Sequence, residues 1–423
     1  MKNTKLALFV LMLLSLLTAC GSDSTTSEGT TASATDETQN LMSISSSQVV
    51  IDDFVYQGAF RISSATFGVS SVNYAVGSLA YNADNHSLFI AGHAQQNAIA
   101  EFAIPPLLIR DSVNELNVAT TALQGFRNIL GAGTTGNPDE INRVTGMYYK
   151  NGQLIVNAEQ WYDAAGNNRD TTLVVRDAAN LATSSIAGYF ELQGRAQAAG
   201  YISEVPPAWQ EKIGSSHITG WSSVYSIISR YSLGPSIFSF NTDDLLNSSL
   251  PFSESVSTTP IMNFPFSGGE YLAPGAQQMT TGPTASPVWN SLSRGRYGFI
   301  VPNSKTFAVI GSSAGINGGI GYKITQDNGN LCGGPCPAIA SERYNYYWFF
   351  DLDQILDASR VSEPRPYAYG KWALPFDNNG QHAIIGGTYD TASKLLYVAL
   401  GKAGQVGRYD RPPLILAYKV EIK

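Results

Sequence analysis

Charged residues are scarce in this sequence: they occupy 14% of its 423 positions, and acidic residues outnumber basic ones by 33 to 26. No run of lysines and arginines occurs. A nucleic-acid-binding surface requires a basic face, so nucleic acid is not expected as a partner. Low charge together with 43% hydrophobic residues also excludes a mainly disordered chain and allows a large core.

A long apolar run is missing too, since the run from Leu6 to Leu17 is shorter than the ~20 residues that span a bilayer. It follows Lys2 and Lys5, as in an export signal. The segment Leu17-Thr18-Ala19-Cys20 resembles the lipobox of bacterial lipoproteins. The resemblance implies that residues 1–19 are a lipoprotein signal peptide and that Cys20 carries the lipid. An ordinary secretory signal with a chance cysteine is the alternative.

The lipobox resemblance also implies a location. Gly21 stands where an inner-membrane retention signal would place aspartate, which favours the outer membrane, on its periplasmic or cell-surface side. The membrane contact would be made by lipid only. Residues 20–47 are rich in serine and threonine, cannot bury enough apolar surface to fold, and are expected to form a tether. Residues 48–423 form the folded domain, expected to be a monomer.

Short alternating runs separated by Gly, Asn, Asp and Pro predict an all-β domain. One pattern recurs: a glycine, a short strand, a turn and an apolar strand. It occurs as GSLAYNADNHSLFIAGH from Gly77, TGMYYKNGQLIVNAE from Thr145 and GGTYDTASKLLYVALG from Gly386. Residues 87–102 also align without a gap on residues 225–240, and IFSFNTDDLL resembles WFFDLDQIL.

Repeated four-stranded units indicate a β-propeller, in which each blade buries its faces against its neighbours. The roughly 375 residues after the tether, at ~40–50 per blade, predict seven blades, with six or eight as alternatives. The N-terminal VVIDDFVYQGAFRI is expected to pair with LILAYKVEI and to close the ring. A β-sandwich with a second β domain is the other architecture considered.

Propeller geometry predicts where a site lies. The glycine-led strand is innermost, so the residues before it and those ending the second strand should surround one mouth of the central channel. These positions hold polar and aromatic side chains in the early blades: Tyr74, Arg143 and His217 before the glycine, His93, Glu159, Arg230 and Tyr231 after the second strand, with Trp161, Tyr162, Arg169 and Tyr225 nearby. Alternatively, such residues only satisfy backbone groups or pair at blade interfaces.

Aromatic and charged side chains together suit a carbohydrate, and three arginines in an acidic protein favour an anionic one such as a uronate. Glycoside hydrolysis needs two carboxylates, and Glu159 and Asp163 have no partner predicted opposite them. β-Elimination needs a base, an acid and a cation on the uronate carboxylate. The candidate catalytic residues are His93 or His217, Tyr231 or Tyr225, and Arg230 or Arg143.

Over residues 50–420 this set and architecture resemble the propeller polysaccharide lyases, including the ulvan lyases. The resemblance implies a polysaccharide lyase. No cofactor is expected. The alternative is a non-catalytic propeller that binds glycan or assembles other envelope proteins, and a scaffold would favour a broad apolar face over a polar pocket.

Cys332 and Cys336 are the only cysteines of the folded part. In an exported protein they are expected to form a disulfide. The alternative is a structural zinc site, for which His382 would be a third ligand.

Overall fold

The computed structural model describes residues 47–222, 232–248, 255–276 and 285–422. Cys20 and the tether up to residue 46 lie outside these ranges, and so do three predicted site residues, Tyr225, Arg230 and Tyr231. The lipobox and the tether therefore stay predictions.

The described chain forms an all-β propeller of five blades. Blade 1 contains β2 (Leu79–Asn82), β3 (Ser87–Ala91), β4 (Ala98–Ala103) and β6 (Gln124–Asn128). The strands β1 (Phe54–Ile62) and β5 (Val118–Ala119) belong to the sheet of blade 5. Blade 2 contains β7 (Arg143–Lys150), β8 (Gln153–Glu159), β9 (Asp170–Val175) and β10 (Ile186–Leu192). Blade 3 contains β11 (Ile202–Glu204), β12 (His217–Thr219), β13 (Ile237–Phe240) and, after β14 (Ser255–Val256) on the edge of blade 2, β15 (Thr259–Met262).

Blade 4 contains β16 (Arg294–Ile300) and β17 (Thr306–Ala314) and, after the two-stranded β18 (Ile320–Tyr322) and β19 (Pro335–Pro337), β20 (Arg343–Asp351) and β21 (Ala368–Lys371). Blade 5 contains β22 (Ile384–Asp390), β23 (Leu395–Leu400), β24 (Leu414–Val420) and β1. The α-helices of the described ranges are α1 (Pro207–Ile213), α2 (Asp243–Leu246) and α3 (Leu352–Leu356). No helix in these ranges is long and apolar enough to cross a membrane.

The prediction of seven blades is wrong because the connections are longer than it assumed. The ~375 residues of the domain give about 75 residues to each of five blades, against the ~40–50 expected. Long segments without a β-strand, such as 129–142 and 401–413, account for the difference.

The two faces of each blade pack against neighbouring blades, so the core lies between blades. In β8 and β9, Val156 and Leu173 belong to the cluster shared with Phe89 of blade 1, whereas Ile155 and Val174 belong to the cluster shared with blade 3. Adjacent residues of a strand thus face opposite clusters, as the two-residue period of a strand requires.

The repeated glycines lie where inner strands meet along the channel. A Cβ atom on Gly146 of β7 would lie 1.8 Å from the carbonyl oxygen of Gly200, just before β11. A Cβ on Gly386 of β22 would lie 1.9 Å from the carbonyl oxygen of Gly77, just before β2. The backbones therefore approach so closely that any side chain would clash.

Other features of the repeat are confirmed. β1 pairs antiparallel with β24, with Phe54 opposite Val420 and Arg61 opposite Leu414, so the ring is closed by the N-terminal strand. The two similar segments IFSFNTDDLL and WFFDLDQIL occupy the third strands of blades 3 and 4, and each runs into a short helix, α2 or α3. In α3, the carboxylate of Asp351 accepts the backbone N–H groups of Asp353 and Gln354.

Candidate functional site

The central channel has two chemically different ends. The inner strands β2, β7, β11, β16 and β22 run in the same direction, since residues near their starts line one small cavity and residues near their ends line another. We name the end at the strand starts the arginine mouth, defined by Arg143, Glu159, Trp161, Arg294 and Arg296. We name the other end the tyrosine cleft, defined by Tyr81, Tyr148, Tyr149, Tyr297, Tyr389 and Glu204.

In the arginine mouth, Arg143 and Glu159 lie directly opposite each other, as the first residue of β7 and the last of β8. Glu159 is fully buried and Arg143 is half-buried. Burial lowers the pKa of Arg143, and the charge of Glu159 opposes that shift. The guanidinium of Arg143 lies over the ring of Trp161, 5.3 Å from its centroid. The backbone N–H of Trp161 donates to Asn142 Oδ1 at 2.9 Å. Trp161 is 41% exposed.

Two further arginines come from β16 of blade 4. Burial lowers the pKa of Arg296 to about 10, with contributions from Arg294 and Arg143 in the same direction and from Glu159 in the opposite one. Arg296 therefore stays charged at neutral pH. Its Nη1 donates to the carbonyl oxygen of Ser222 at 3.2 Å, while its buried Nε has no hydrogen-bond partner in the described ranges. Arg296 is thus influenced by the charges of two other guanidinium groups and of the buried Glu159 carboxylate.

The outer part of this mouth is an open cavity of about 680 Å³. Arg294, Arg296 and Arg343 line it, at the starts of β16 and β20. Arg294 donates from Nη1 to the carbonyl oxygens of Ser291 at 2.9 Å and Ser293 at 2.7 Å, which hold its guanidinium in place. A cavity lined by fixed cations is suited to an anionic ligand.

Blade 1 adds a histidine and a tyrosine at the same end of the channel. Ala75 and His93 form an isolated bridge, and the rings of Tyr74 and His93 meet edge to face with centroids 5.8 Å apart. The N–H of Gln95 donates to His93 Nδ1 at 3.1 Å. The structure therefore brings Tyr74, His93, Arg143, Glu159 and Trp161 to one end of the channel, as the sequence predicted.

Two residues of the loop after Glu159 differ in their surroundings. Tyr162 is 60% exposed next to Trp161. Arg169 forms ion pairs with Asp170 at 3.2 Å and Glu191 at 3.6 Å, where β9 and β10 meet. Arg169 is therefore engaged on the outer strands of blade 2 rather than beside the channel.

The expected position of His217 at this mouth is wrong. His217 begins β12, the second strand of blade 3, and lies opposite Glu204 and Phe240 at the other end of the channel. The inner strand of this blade is β11, which follows Gly200. Gly220, which the sequence pattern places at the start of the inner strand, instead follows the second strand, β12. Of the candidate catalytic residues that the structure describes, His93 and Arg143 lie at this end of the channel and His217 does not.

His217 instead belongs to a buried aromatic contact. It is 3% exposed, and its ring lies edge to face with Tyr148 at 4.9 Å. Its Nδ1 is 2.7 Å from Ser216 Oγ. Burial lowers the pKa of His217 to about 3, with Lys150 acting in the same direction and Asp243 against it.

Sequence reasoning missed two sets of residues. Arg294 and Arg296 begin the inner strand RGRYGFI, which was not aligned with the other glycine-led strands. The tyrosines of the cleft recur in the inner strands as LAYN, GMYYK, GRYGF and GGTYD. That recurrence was visible in the sequence and could have identified the second end of the channel.

The structure joins Cys332 and Cys336 in a disulfide beside the β18–β19 hairpin. Neither sulfur is then a free thiolate that could bind zinc. His382 Nδ1 lies 2.8 Å from the carbonyl oxygen of Phe376, and no group of three potential metal ligands occurs among the described residues.

No protein-family model and no curated protein matches the sequence. Solved structures with a similar fold include a GH130 enzyme, described with glycoside hydrolases that target β-1,2 mannosidic linkages in Candida mannan. It is 10% identical, with a TM-score of 0.40, over 88% of this chain and 97% of that one. The catalytic domain of the Coprinopsis cinerea GH62 α-L-arabinofuranosidase is 12% identical, with a TM-score of 0.31, over 86% and 98%.

A putative glucose dehydrogenase from Thermus thermophilus is 12% identical, with a TM-score of 0.34, over 85% of this chain and 100% of that one. These neighbours include a putative oxidoreductase as well as glycoside hydrolases, and similarity this low says nothing about activity. The chain is an all-β, five-bladed propeller, and its function has to be argued from its own residues.

Proposed function

We propose that this protein binds an anionic polysaccharide at the arginine mouth. The observation that supports this proposal is the group of Arg143, Arg294 and Arg296 around Glu159, beside the exposed ring of Trp161. Guanidinium groups form paired hydrogen bonds with carboxylates, and an aromatic face stacks on the apolar face of a sugar ring. A polymer of uronic acid offers both groups in each residue.

Hydrolysis is less well supported than binding. An inverting or retaining glycosidase needs two carboxylates on opposite sides of the scissile bond. Asp163, the other acid of this loop, accepts the backbone N–H groups of Gly166 at 2.8 Å and Asn167 at 3.3 Å through Oδ1 and is buried. Its carboxylate therefore holds the loop in shape and is not free to act on a substrate across from Glu159.

β-Elimination is the second candidate, because the rings of His93 and Tyr74 meet at the same end of the channel as the arginine mouth. In this scheme an arginine of the mouth neutralises the uronate carboxylate and so acidifies the C5 proton. A neutral His93 removes that proton, and Tyr74 donates a proton to the leaving glycosidic oxygen as the C4–O bond breaks. The product is an unsaturated uronate, whose double bond absorbs in the ultraviolet.

The binding proposal is tested by calorimetric titration with polyuronates and with a neutral polysaccharide of similar length. We expect the polyuronate to bind and Arg143→Gln to weaken it about tenfold, since a charge-assisted pair contributes about 1.5–3 kcal/mol. Affinity should fall with added salt, as it does for ionic contacts. Arg360→Gln, an exposed residue after α3, is the matched control. Equal affinity for the neutral polymer would contradict the proposal.

The same mixtures test catalysis through the ultraviolet absorbance of the product. A lyase would release unsaturated uronate, and His93→Ala would abolish the release while leaving binding in place. Binding without release across a panel of polyuronates favours the non-catalytic module.

We also propose that the protein is anchored to the outer membrane by lipid on Cys20. The lipobox resemblance supports this, and Cys20→Ser tests it: the substituted chain should leave the membrane fraction and lose the mass of the acyl groups. An unchanged membrane fraction would contradict the anchor.

A further inference from the structure

The tyrosine cleft is a second candidate binding site, at the end of the channel opposite the arginine mouth. It is a cleft open to solvent, with an enclosed volume of about 120 Å³. All five inner strands contribute to its lining through the residues near their ends. Its position and its lining residues are therefore separate from those of the arginine mouth.

Six aromatic residues line this cleft, at least one from each inner strand except β11. Tyr389 of β22 stacks on Phe299 of β16 with centroids 4.8 Å apart, and Phe299 stacks in turn on Tyr297 at 5.7 Å. Tyr81 of β2 stacks on Tyr397, and Tyr148 of β7 packs against His217. These contacts hold the rings in fixed orientations, so the walls are preformed.

The tyrosines keep their protons over the ordinary pH range. Burial, followed by the charge of Asp390, raises the pKa of Tyr81 to about 12. Burial also raises the pKa of Tyr148 and of Tyr297, and the charge of Glu204 adds to both shifts. The rings are thus neutral phenols, with the negative π faces that attract cations.

The charge of the cleft has one sign. Glu204 and Asp390 line it, and no lysine or arginine of the described ranges does. Asp390 is engaged by its own turn, since its carboxylate accepts the N–H of Ala392 at 3.0 Å and of Ser393 at 3.3 Å. No hydrogen bond or ion pair to the half-buried Glu204 carboxylate occurs among the described residues. Lys150, on the same strand as Tyr148, is paired with Asp243 at 3.2 Å.

A carboxylate without a countercharge next to neutral aromatic faces is the environment that an organic cation prefers. Taking a charge out of water is unfavourable unless an opposite charge compensates for it. A primary ammonium needs several hydrogen-bond acceptors, whereas a quaternary ammonium donates no hydrogen bond and binds to aromatic faces. The stacked rings favour the second kind of ion.

We propose that the tyrosine cleft binds a quaternary ammonium group, with Glu204 as its counterion and Tyr148, Tyr297 and Tyr389 as its aromatic walls. The group could belong to a free solute or to a lipid headgroup, and the chemistry of recognition is the same for both. This proposal is independent of the one made for the arginine mouth, because the two sites share no residue.

Choline and its neutral isostere dimethylbutanol, in which carbon replaces the nitrogen, test the proposal by calorimetric titration of the intact protein. We expect choline to bind about tenfold more tightly, since a desolvated cation is attracted by the aromatic faces and the isostere is not. Glu204→Gln should reduce choline affinity about tenfold. Glu115→Gln, an exposed carboxylate of the segment before β5, should leave it unchanged. Tyr389→Leu is a second variant, in case Glu204→Gln fails to fold.

Vesicles of phosphatidylcholine distinguish the two sources of the group. Binding of the vesicles as well as of choline indicates a lipid headgroup, and binding of choline alone indicates a free solute. Equal affinities for choline and dimethylbutanol, no binding of either probe, or a Glu204→Gln variant with wild-type affinity would overturn the proposal. Choline should also leave polyuronate binding unchanged, so failure at one end of the channel says nothing about the other.

Discussion

The guanidinium carbon of Arg143 lies 5.3 Å from the ring centroid of Trp161. The cation is thus held against one face of an exposed indole, while Glu159 lies opposite it in the sheet. This pairing of an aromatic platform with a positioned charge is the basis of the proposed polysaccharide site.

Trp161→Ala should weaken polyuronate binding about tenfold, because the variant loses the stacking surface, which contributes about 1–1.5 kcal/mol, and leaves Arg143 less well positioned. Titration calorimetry checks the affinity, and thermal unfolding should show little change, since the side chain is 41% exposed. Tyr369→Ala, on the outermost strand of blade 4, is the control and should bind like the wild type. Equal effects of the two substitutions would contradict a role for Trp161.

Gly146→Ala should destabilise the propeller by at least about 3 kcal/mol, because the new Cβ would lie 1.8 Å from the carbonyl oxygen of Gly200. Urea unfolding measures the change. Gly131→Ala is the matched control: nothing lies within 4 Å of its Cβ position, so it should stay within ~0.5 kcal/mol of the wild type. Comparable stabilities for the two variants would show that the inner strands can separate.

His217 should make stability fall on acidification. Its pKa in the folded protein is about 3, below the ordinary value of 6.5. Between these two pH values, the histidine is protonated in the unfolded chain and neutral in the folded chain. The stabilising contribution is complete above pH 6.5 and is lost as the pH falls towards 3. Between pH 6.5 and 4.5 the free energy of unfolding should drop by about 2 kcal/mol from this residue alone.

His217→Phe isolates that contribution, since phenylalanine keeps the ring contact with Tyr148 but cannot take up a proton. Urea unfolding of both proteins from pH 8 to 4.5 gives the comparison. The difference in stability should be constant above pH 7.5 and should shift in favour of the variant below pH 6.5. If the unfolding free energies of the wild type and the variant changed in parallel over the whole pH range, the prediction of a buried neutral histidine would be wrong.

The sequence predicted the architecture better than it predicted the site. The glycine-led repeat identified β2, β7 and β22 as inner strands, because a backbone contact that admits no side chain leaves a visible trace in the sequence. The repeat could not predict the number of blades, because the connecting segments differ in length and follow no repeat.

The sequence placed Arg143 and Glu159 at the same end of the channel because blade and register were both clear there. The pairing of Arg143 with Glu159 follows from the turn Asn151-Gly152, which fixes the register of β7 and β8. His217 was misplaced because blade 3 has two candidate glycines, Gly200 and Gly220, and only the pairing of β11 with β12 shows which of them begins the inner strand.

The closure of the ring by β1 has a consequence for how the chain folds during synthesis. β1 is made first, and its partner β24 is made last, more than 350 residues later. Blade 5 therefore cannot be completed until β24 has been synthesised, and until then one edge of β1 stays unpaired. Apolar residues of β1 that are buried in the complete fold, such as Phe54 and Phe60, are exposed to wrong partners for that time. Substitutions in β1 should therefore reduce the yield of folded protein more than their effect on final stability suggests.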